Sequence, residues 1–266
     1  MKSATDCVTT RHHLALCPID PINLDETISA VRGMVADARF HYLVTPNMDH
    51  LQRLYCDDTS GVLKDIYRRA SLSLCDSRIL EKLLRLRGLS IPEVIPGSSL
   101  TAELFERELH SEDRIVLVGG SDTVVEKLRL RFPRLQFSHI NPSMGFIHQA
   151  DEVKQLCDRI AETRADFIFL AVGSPQQELL AAHLSERLSR GVALCVGASL
   201  LFLSGDERRA PSWLQYLHGE WLYRLLQNPR RLIRRYFSNA IYLPRIFFAL
   251  GGRVSGGADG VELRHD

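Results

Sequence analysis

Short, continuous apolar runs alternate with longer amphipathic segments through most of the chain, and this alternation restricts the fold more than any other feature. Strands covered on both faces of a parallel sheet are apolar throughout, whereas the covering helices have one apolar side. The apolar runs predict strands at residues 14–17, 41–44, 72–75, 115–118, 167–172 and 193–196. The amphipathic segments predict helices at 24–38, 49–69, 100–109, 123–131, 152–163 and 177–188. Together they predict an α/β protein with a doubly wound, Rossmann-like parallel sheet.

The segments that directly follow the predicted strands are rich in polar residues and glycine. These segments are residues 45–50, 76–77, 119–122, 173–178 and 197–199. Doubly wound sheets bind ligands beyond the carboxyl ends of their strands. We therefore expect the functional site along that edge.

Two of these segments contain candidates for catalysis and sugar binding. Asp76 follows a predicted strand, where a carboxylate can act as the general base on an attacking hydroxyl. Its alternative role is the N-cap of a helix that starts near Ser77. Thr45 and Asn47 carry hydroxyl and amide groups that suit sugar hydroxyls, but Asn47 or Asp49 could instead cap the next helix. The local sequence leaves both choices open.

Two further segments could contact the phosphate or sugar of a ligand. Gly119 and Gly120 join a strand to a helix, whose N-terminus favours an anion, although a simple tight turn explains them equally well. The pattern is neither G-x-G-x-x-G nor a P-loop, which argues against dehydrogenase and NTPase chemistry. Gln177 opens a helix and can donate to a sugar or phosphate oxygen, or it can be an ordinary surface residue.

Composition excludes several classes of protein. The net charge of +1 gives no reason to expect nucleic-acid binding by the whole chain. The six cysteines contain no C-x-x-C pair, so we expect reduced thiols in a cytosolic protein rather than a disulfide framework or a zinc site. No secretory signal and no span of roughly 20 apolar residues is evident, so any membrane contact is expected to be peripheral.

The composition changes near residue 208. Eight arginines, no lysine and one acidic residue, Glu220, lie between Arg208 and Arg245. Pro229 suits the first turn of a helix that places arginines on one face and apolar residues on the other. Such a helix can lie on an anionic membrane, pack on the core with a solvated basic face, or bind nucleic acid. We predict an α/β core over residues 1–205, a basic amphipathic appendage over 206–250 and a flexible tail over 251–266.

Four motifs, in this order, resemble those of the WecG/TagA/CpsF family of bacterial glycosyltransferases over residues 14–239. Thr45 opens a segment similar to the family's T-P-N-x-D/E element, and Gly173 opens one similar to G-x-P-K-Q-E. Residues 197–211 resemble V-G-x-x-F-D-x-x-G-x-x-x-R-A-P. Residues 220–236 resemble E-W-x-x-R-L…P-x-R…R-Y.

The resemblance implies an inverting, metal-independent transfer of a sugar from a UDP-sugar donor to a polyprenyl-diphosphate-linked sugar at the membrane. It implies that Asp76 is the general base and that Gln177 takes part in the active site. Substrate-binding residues would be Thr45, Asn47, Gly119, Gly120, Gly173, Arg224, Arg231 and Arg234. The three arginines would come from the C-terminal appendage and neutralise the diphosphate. This agrees with the absence of a D-x-D metal-binding pair, and neither a metal ion nor another cofactor is expected.

Three positions depart from the family pattern. Ser77 stands where the family has glycine, Gln176 stands where it has lysine, and the family's Phe-Asp pair is replaced by Leu201-Phe202-Leu203, which has no acid. They leave the donor sugar open among N-acetylmannosamine, its uronic acid and glucose. The alternative function is a non-catalytic sugar-nucleotide or lipid-binding protein on the same fold, and an oxidoreductase or a nucleic-acid binder has less support. A second copy of the chain could cover the C-terminal helix in place of a membrane, which would make the protein a homo-oligomer.

Overall fold

The computed structural model describes residues 11–207 and 229–251, and its centre is one six-stranded parallel sheet. The strands are β1 (Phe40–Val44), β2 (Leu72–Ser73), β3 (Ile115–Val118), β4 (Phe137–Ile140), β5 (Phe167–Leu170) and β6 (Gly191–Cys195). Their order across the sheet is β2-β1-β6-β5-β3-β4, and every pairing is parallel. The predicted α/β fold with a Rossmann-like parallel sheet is confirmed.

Helices cover both faces of the sheet. They are α1 (Leu24–Ala36), α2 (Met48–Cys56), α3 (Val62–Arg69), α4 (Arg78–Leu86), α5 (Gly97–Glu103), α6 (Asp122–Arg131), α7 (Ala150–Thr163), α8 (Gln176–Ser185), α9 (Ser199–Ser204) and α10 (Pro229–Ala249). A π-helical turn (Leu104–Glu108) extends α5, and a 3₁₀ turn (Phe146–His148) precedes α7.

Alternate residues of each strand enter two separate hydrophobic clusters, one on each face of the sheet. Leu117 and Phe169 pack with α1, α5, α6 and α9, whereas Val118 and Leu170 pack with α2, α3, α4, α7 and α8. Successive strand residues point to opposite faces, so a sheet with two covered faces needs apolar residues at every position. This is why the central strands are continuous apolar runs in the sequence.

One strand prediction is wrong and one strand was not predicted, both at the margins of the sheet. Residues 14–17 form no strand: the chain doubles back through an isolated bridge between His12 and Ile19, and the apolar residues pack on the helical layer instead. Strand β4 was not predicted, because its middle residues, Ser138 and His139, are polar. Polar residues can stand there because β4 lies at the edge of the sheet. An apolar run reports burial and does not by itself report sheet pairing.

One long predicted helix is divided. The segment 49–69 forms α2 and α3, and Gly61 between them adopts a left-handed backbone at φ +76°. Gly61 is the residue that most easily adopts this conformation, and it lets α3 start in a new direction.

The described part of α10 packs against the α/β core. Ile246 and Leu250 are buried in the same cluster as Val118 and Leu170. The Gln52 side chain of α2 donates to Ser238 Oγ at 2.6 Å, and Asn239 donates to Asp49 at 2.6 Å. Residues 208–228 and 252–266, which include much of the predicted appendage and its tail, lie outside the described residues.

Candidate active site

The loops at the carboxyl edge of the sheet are joined to one another by hydrogen bonds. Thr45 Oγ1, after β1, donates to the carbonyl of Cys195 at the end of β6 (3.1 Å). The backbone N–H of Asp76, after β2, donates to the carbonyl of Pro46 (3.1 Å). The N–H of Gly197, after β6, donates to Gln177 Oε1, after β5 (2.8 Å). The structure therefore brings Thr45, Asp76 and Gln177 to one continuous edge, as the sequence predicted.

Asp76 is half-buried and lies just before α4. Ser77 provides the cap, because its Oγ accepts a hydrogen bond from the N–H of Leu80 at 3.3 Å. The interpretation of Asp76 as the helix cap is therefore wrong. A carboxylate beside a helix N-terminus is stabilised by the exposed N–H groups there. This position keeps a carboxylate close to the loop that contains Thr45 and Asn47.

Asn47 is the N-cap of α2. Its Oδ1 accepts from the backbone N–H groups of Asp49 (3.0 Å) and His50 (3.3 Å), which confirms the capping alternative. The carboxamide oxygen is engaged in this way, and the amide NH₂ group is the part of Asn47 that can donate to a substrate.

Thr45 is buried rather than open to the loop region. A methyl group added at Gly97, the first residue of α5, would lie 3.3 Å from Thr45 Oγ1 and 3.5 Å from Ser199 Oγ. The Thr45 hydroxyl thus joins β1 to β6 and sits beneath α5. Sequence reasoning missed the contact with Gly97 because no local pattern reports a helix packed across the end of a strand.

Gly119 and Gly120 form the turn from β3 into α6, and Gly119 has a steric reason to be glycine. Its φ is +91°, and an added Cβ would lie 2.9 Å from both the carbonyl carbon and the oxygen of Ala171. The chain leaves β3 toward β4 and leaves β5 toward β6, in opposite directions across the sheet. Crevices that bind ligands form at such switch points. The tight-turn alternative is confirmed for Gly119, and the turn lies at this switch point.

His139 supports the same turn and was not predicted as a site residue. Its Nε2 lies 3.2 Å from the carbonyl oxygens of both Gly119 and Gly120, and its Nδ1 lies 3.4 Å from Asp122 Oδ1. Sequence reasoning could not find it, because the edge strand β4 that carries it was itself missed.

The loop after β5 starts at Gly173 and leads into α8. Gly173 has a φ of +82° and open space where a side chain would be, and a cis peptide bond joins Ser174 to Pro175. Gln177 and Glu178 are both buried, so the surface alternative for Gln177 is wrong. The Gln177 Nε2 donates to Glu178 Oε1 at 2.8 Å.

Behind this loop lies a buried polar cluster, which we define as His50, Tyr67 and Glu178. His50 Nδ1 and Tyr67 Oη are 3.0 Å apart. Burial lowers the pKa of His50, although the nearby Glu178 opposes the shift. Burial, with Glu178 close by, raises the pKa of Tyr67 well above its usual value. The cluster connects α2 and α3 to the start of α8.

The structure describes the side chain of none of the three arginines of the predicted diphosphate site. Arg224 lies outside the described residues, and Arg231 and Arg234 lie in α10 at positions whose side chains are not described. Their contact with a diphosphate stays a prediction. Pro229 begins α10 as expected for a proline in the first turn.

Farther along, α10 presents apolar side chains away from the core. Phe237, Ile241 and Phe248 are exposed by 68%, 52% and 76%. Their spacing of four and seven residues places them on one side of the helix. Among the described residues, no helix is long and apolar enough to cross a membrane.

Proteins of known activity resemble this chain over most of its length. A transferase of Bacillus spizizenii is 26% identical over 71% of this chain and 80% of its own length. Its Bacillus subtilis counterpart is 28% identical over the same shares. A Staphylococcus aureus protein is 31% identical over 53% of this chain and 55% of its own length. All three are named N-acetylglucosaminyldiphosphoundecaprenol N-acetyl-β-D-mannosaminyltransferase.

The family model described as "Glycosyl transferase WecG/TagA/CpsF family" matches residues 12–254. This span contains the whole sheet, the Asp76 loop and α10. The chain therefore belongs to the WecG/TagA/CpsF family of glycosyltransferases.

Proposed function

We propose that this chain is an inverting hexosyltransferase that moves a sugar from a UDP-sugar to a polyprenyl-diphosphate-linked sugar during synthesis of a cell-surface polysaccharide. The position of Asp76 carries the proposal: a carboxylate that does not cap its helix stands at the carboxyl edge, beside the Thr45–Asn47 loop. The names of the relatives favour N-acetylmannosamine as the transferred sugar and N-acetylglucosaminyl-diphosphoundecaprenol as the acceptor, and we propose UDP-N-acetylmannosamine as the donor. UDP-glucose and the uronic acid of N-acetylmannosamine are the competing donors.

In the proposed mechanism, Asp76 removes a proton from the acceptor hydroxyl, and the oxygen attacks the anomeric carbon from the side opposite UDP. The bond from that carbon to the UDP oxygen breaks, and UDP leaves with the electron pair. The Gly119–Gly120 turn and the N-terminus of α6 can receive a phosphate oxygen. Arg224, Arg231 and Arg234 would neutralise the remaining charge without a metal ion.

We also propose that the protein works on the cytoplasmic face of the cell membrane as a peripheral protein. The exposed apolar stripe of Phe237, Ile241 and Phe248 supports this, since these side chains share one side of α10. Arginines of the same helix precede the stripe, and both apolar area and positive charge favour an anionic membrane surface. A lipid-linked acceptor would be held at that surface.

The test is UDP release by the purified protein, with EDTA present, across UDP-sugars paired with polyprenyl-diphosphate-sugar acceptors. Release that requires both substrates supports the transferase and identifies its donor. Loss of release on addition of EDTA would contradict the metal-independent mechanism. Binding of a UDP-sugar without release for any pair would instead favour the non-catalytic alternative.

A further inference from the structure

We propose that Glu178 is a positioning residue that locks the side chain of Gln177 in one orientation and so holds the loops after β5 and β6 in register. The proposal deepens the proposed function and rests on it for its kinetic part. Glu178 is fully buried, directly follows Gln177 and accepts its amide hydrogen bond at 2.8 Å.

The lock follows from the polarity of the two bonds. Gly197 N–H can only donate, so the Gln177 oxygen must face it, and the NH₂ group must then face Glu178. A flipped amide would set oxygen against oxygen at Glu178 and N–H against N–H at Gly197. Both bonds would be lost together, so the pair selects a single orientation. One of the two amide hydrogens serves Glu178, and the second can donate to a sugar or phosphate oxygen.

The burial of Glu178 argues for a requirement beyond stability. Its Oε2 has no hydrogen-bond partner in the part of the chain that the structure describes. Burying a carboxyl group with one oxygen unpaired is unfavourable, and an apolar side chain of similar size would fill the space at less cost. An unsatisfied buried group of this kind calls for a specific explanation. Control of the Gln177 amide is that explanation, because an apolar replacement could not supply it.

Residues of α2 and α3 lie close to Glu178, because its charge affects the pKa of both His50 and Tyr67. Arg53 donates to Ser174 Oγ at 2.7 Å, which ties α2 to the loop that precedes α8. His50 and Tyr67 fill the interior next to it. The loop, the carboxyl group and the amide therefore form one connected unit behind the carboxyl edge.

The kinetic test compares Glu178→Gln with Glu178→Met. The glutamine keeps a carbonyl oxygen that can accept from Gln177, whereas methionine has similar size and removes that acceptor. We expect Glu178→Met to lower kcat/KM by about 10- to 100-fold, and Glu178→Gln to restore most of that loss. The decisive measurement repeats Glu178→Met in a Gln177→Ala background. Loss of the effect there supports the lock, and an undiminished effect overturns it in favour of simple packing.

A second measurement does not depend on turnover. Amide hydrogen exchange at Gly197 reports the bond to Gln177 Oε1, and we expect it to accelerate in Glu178→Met and to stay slow in Glu178→Gln. Unchanged exchange in Glu178→Met would overturn the proposal even if activity fell. If the wild-type protein released no UDP with any substrate pair, the proposed function would fail while the exchange data still decided the lock.

A third variant covers the case in which Glu178→Met does not fold. Glu178→Leu removes the same acceptor with a different apolar side chain and leaves Gln177 in place. It must accelerate exchange at Gly197 and lower kcat/KM to a similar degree. Wild-type behaviour in both measurements would overturn the proposal.

Discussion

Two buried carboxyl groups lie at opposite ends of β5, and their surroundings differ. Asp166 directly precedes the strand and receives hydrogen bonds from Arg114 and Arg190, at 2.8–3.1 Å. Glu178 follows the strand at the start of α8, bonds only to Gln177 among the described residues and leaves one oxygen unpaired. Buried polar groups that serve stability alone usually have all their oxygens hydrogen-bonded, as Asp166 does. The incomplete pairing of Glu178 at the carboxyl edge is what the proposed role in orienting Gln177 would explain.

The largest expected effect is on catalysis at the carboxyl edge. Asp76→Asn removes the proposed base while keeping the shape of the side chain, and we expect UDP release to fall by about 10²- to 10⁴-fold. The melting temperature should stay close to that of the wild type, because Ser77 and not Asp76 caps α4. Ser77→Ala is the matched control: it should lower stability by about 1 kcal/mol through loss of the cap. Full activity in Asp76→Asn would remove Asp76 from the mechanism.

The next largest expected effect is on stability, and it tests whether contact with Ala171 requires glycine at position 119. Gly119→Ala places a methyl group against the Ala171 carbonyl at a φ of +91°, and we expect a loss of about 3 kcal/mol in the free energy of unfolding. Gly173→Ala shares the positive φ but has open space, so it should lose only about 1 kcal/mol. Urea denaturation measures both. Equal losses would show that backbone strain, and not contact between the two loops, decides the need for glycine.

At the opposite edge of the sheet, where the strands begin, we expect a substitution to lower stability without changing activity. Asp166→Asn should lower the free energy of unfolding by about 2 kcal/mol, a moderate value because both arginines remain partly exposed. The turnover of the folded variant should match the wild type, since Asp166 lies at the end of the sheet away from Asp76. If the folded Asp166→Asn variant turned over more slowly than the wild type, the proposed difference between the two edges would be wrong.

The stability difference between the wild type and Asp166→Asn should depend on pH. Burial alone would raise the pKa of Asp166, but hydrogen bonds and charge from Arg114 and the charge of Arg190 lower it below 3.8. A carboxyl with a depressed pKa in the folded state stabilises the fold above its unfolded pKa and loses that contribution as the pH falls through the folded value. Wild type and Asp166→Asn should therefore converge in stability below pH 3.8. A constant difference down to pH 2 would contradict this.

The smallest expected effect concerns the surface of α10. Replacing Phe237, Ile241 or Phe248 singly with serine should weaken binding to anionic vesicles by several-fold, with little change in stability, because each side chain is exposed. Leu130→Ser is the control, because Leu130 on α6 is an apolar residue more exposed than any of these three, and it should bind like the wild type. Vesicle sedimentation measures both, and equal weakening by the control would remove α10 from the membrane contact.

Much of the edge could be predicted because strand ends and family motifs are local features. Thr45, Asp76 and Gln177 were placed correctly by the rule that parallel strands end on one side. Gly97 and His139 were not predicted, since their contacts with Thr45 and with the Gly119–Gly120 turn join segments far apart in the chain. Capping was correctly proposed for Asn47 and wrongly for Asp76, because the sequence alone does not tell which of two adjacent polar residues faces the helix.

The sequence by itself determined the α/β class, the family and the gathering of the candidate site residues at one edge of the sheet, because apolar periodicity and motif order are properties of the linear chain. Only the tertiary structure decided that Ser77 and not Asp76 caps α4, and that Gly119 lies against the neighbouring loop. It also decided that Gln177 and Glu178 are buried together with a fixed amide orientation. Such contacts depend on which strands become neighbours, and strand order follows from packing of the whole sheet, not from any single segment.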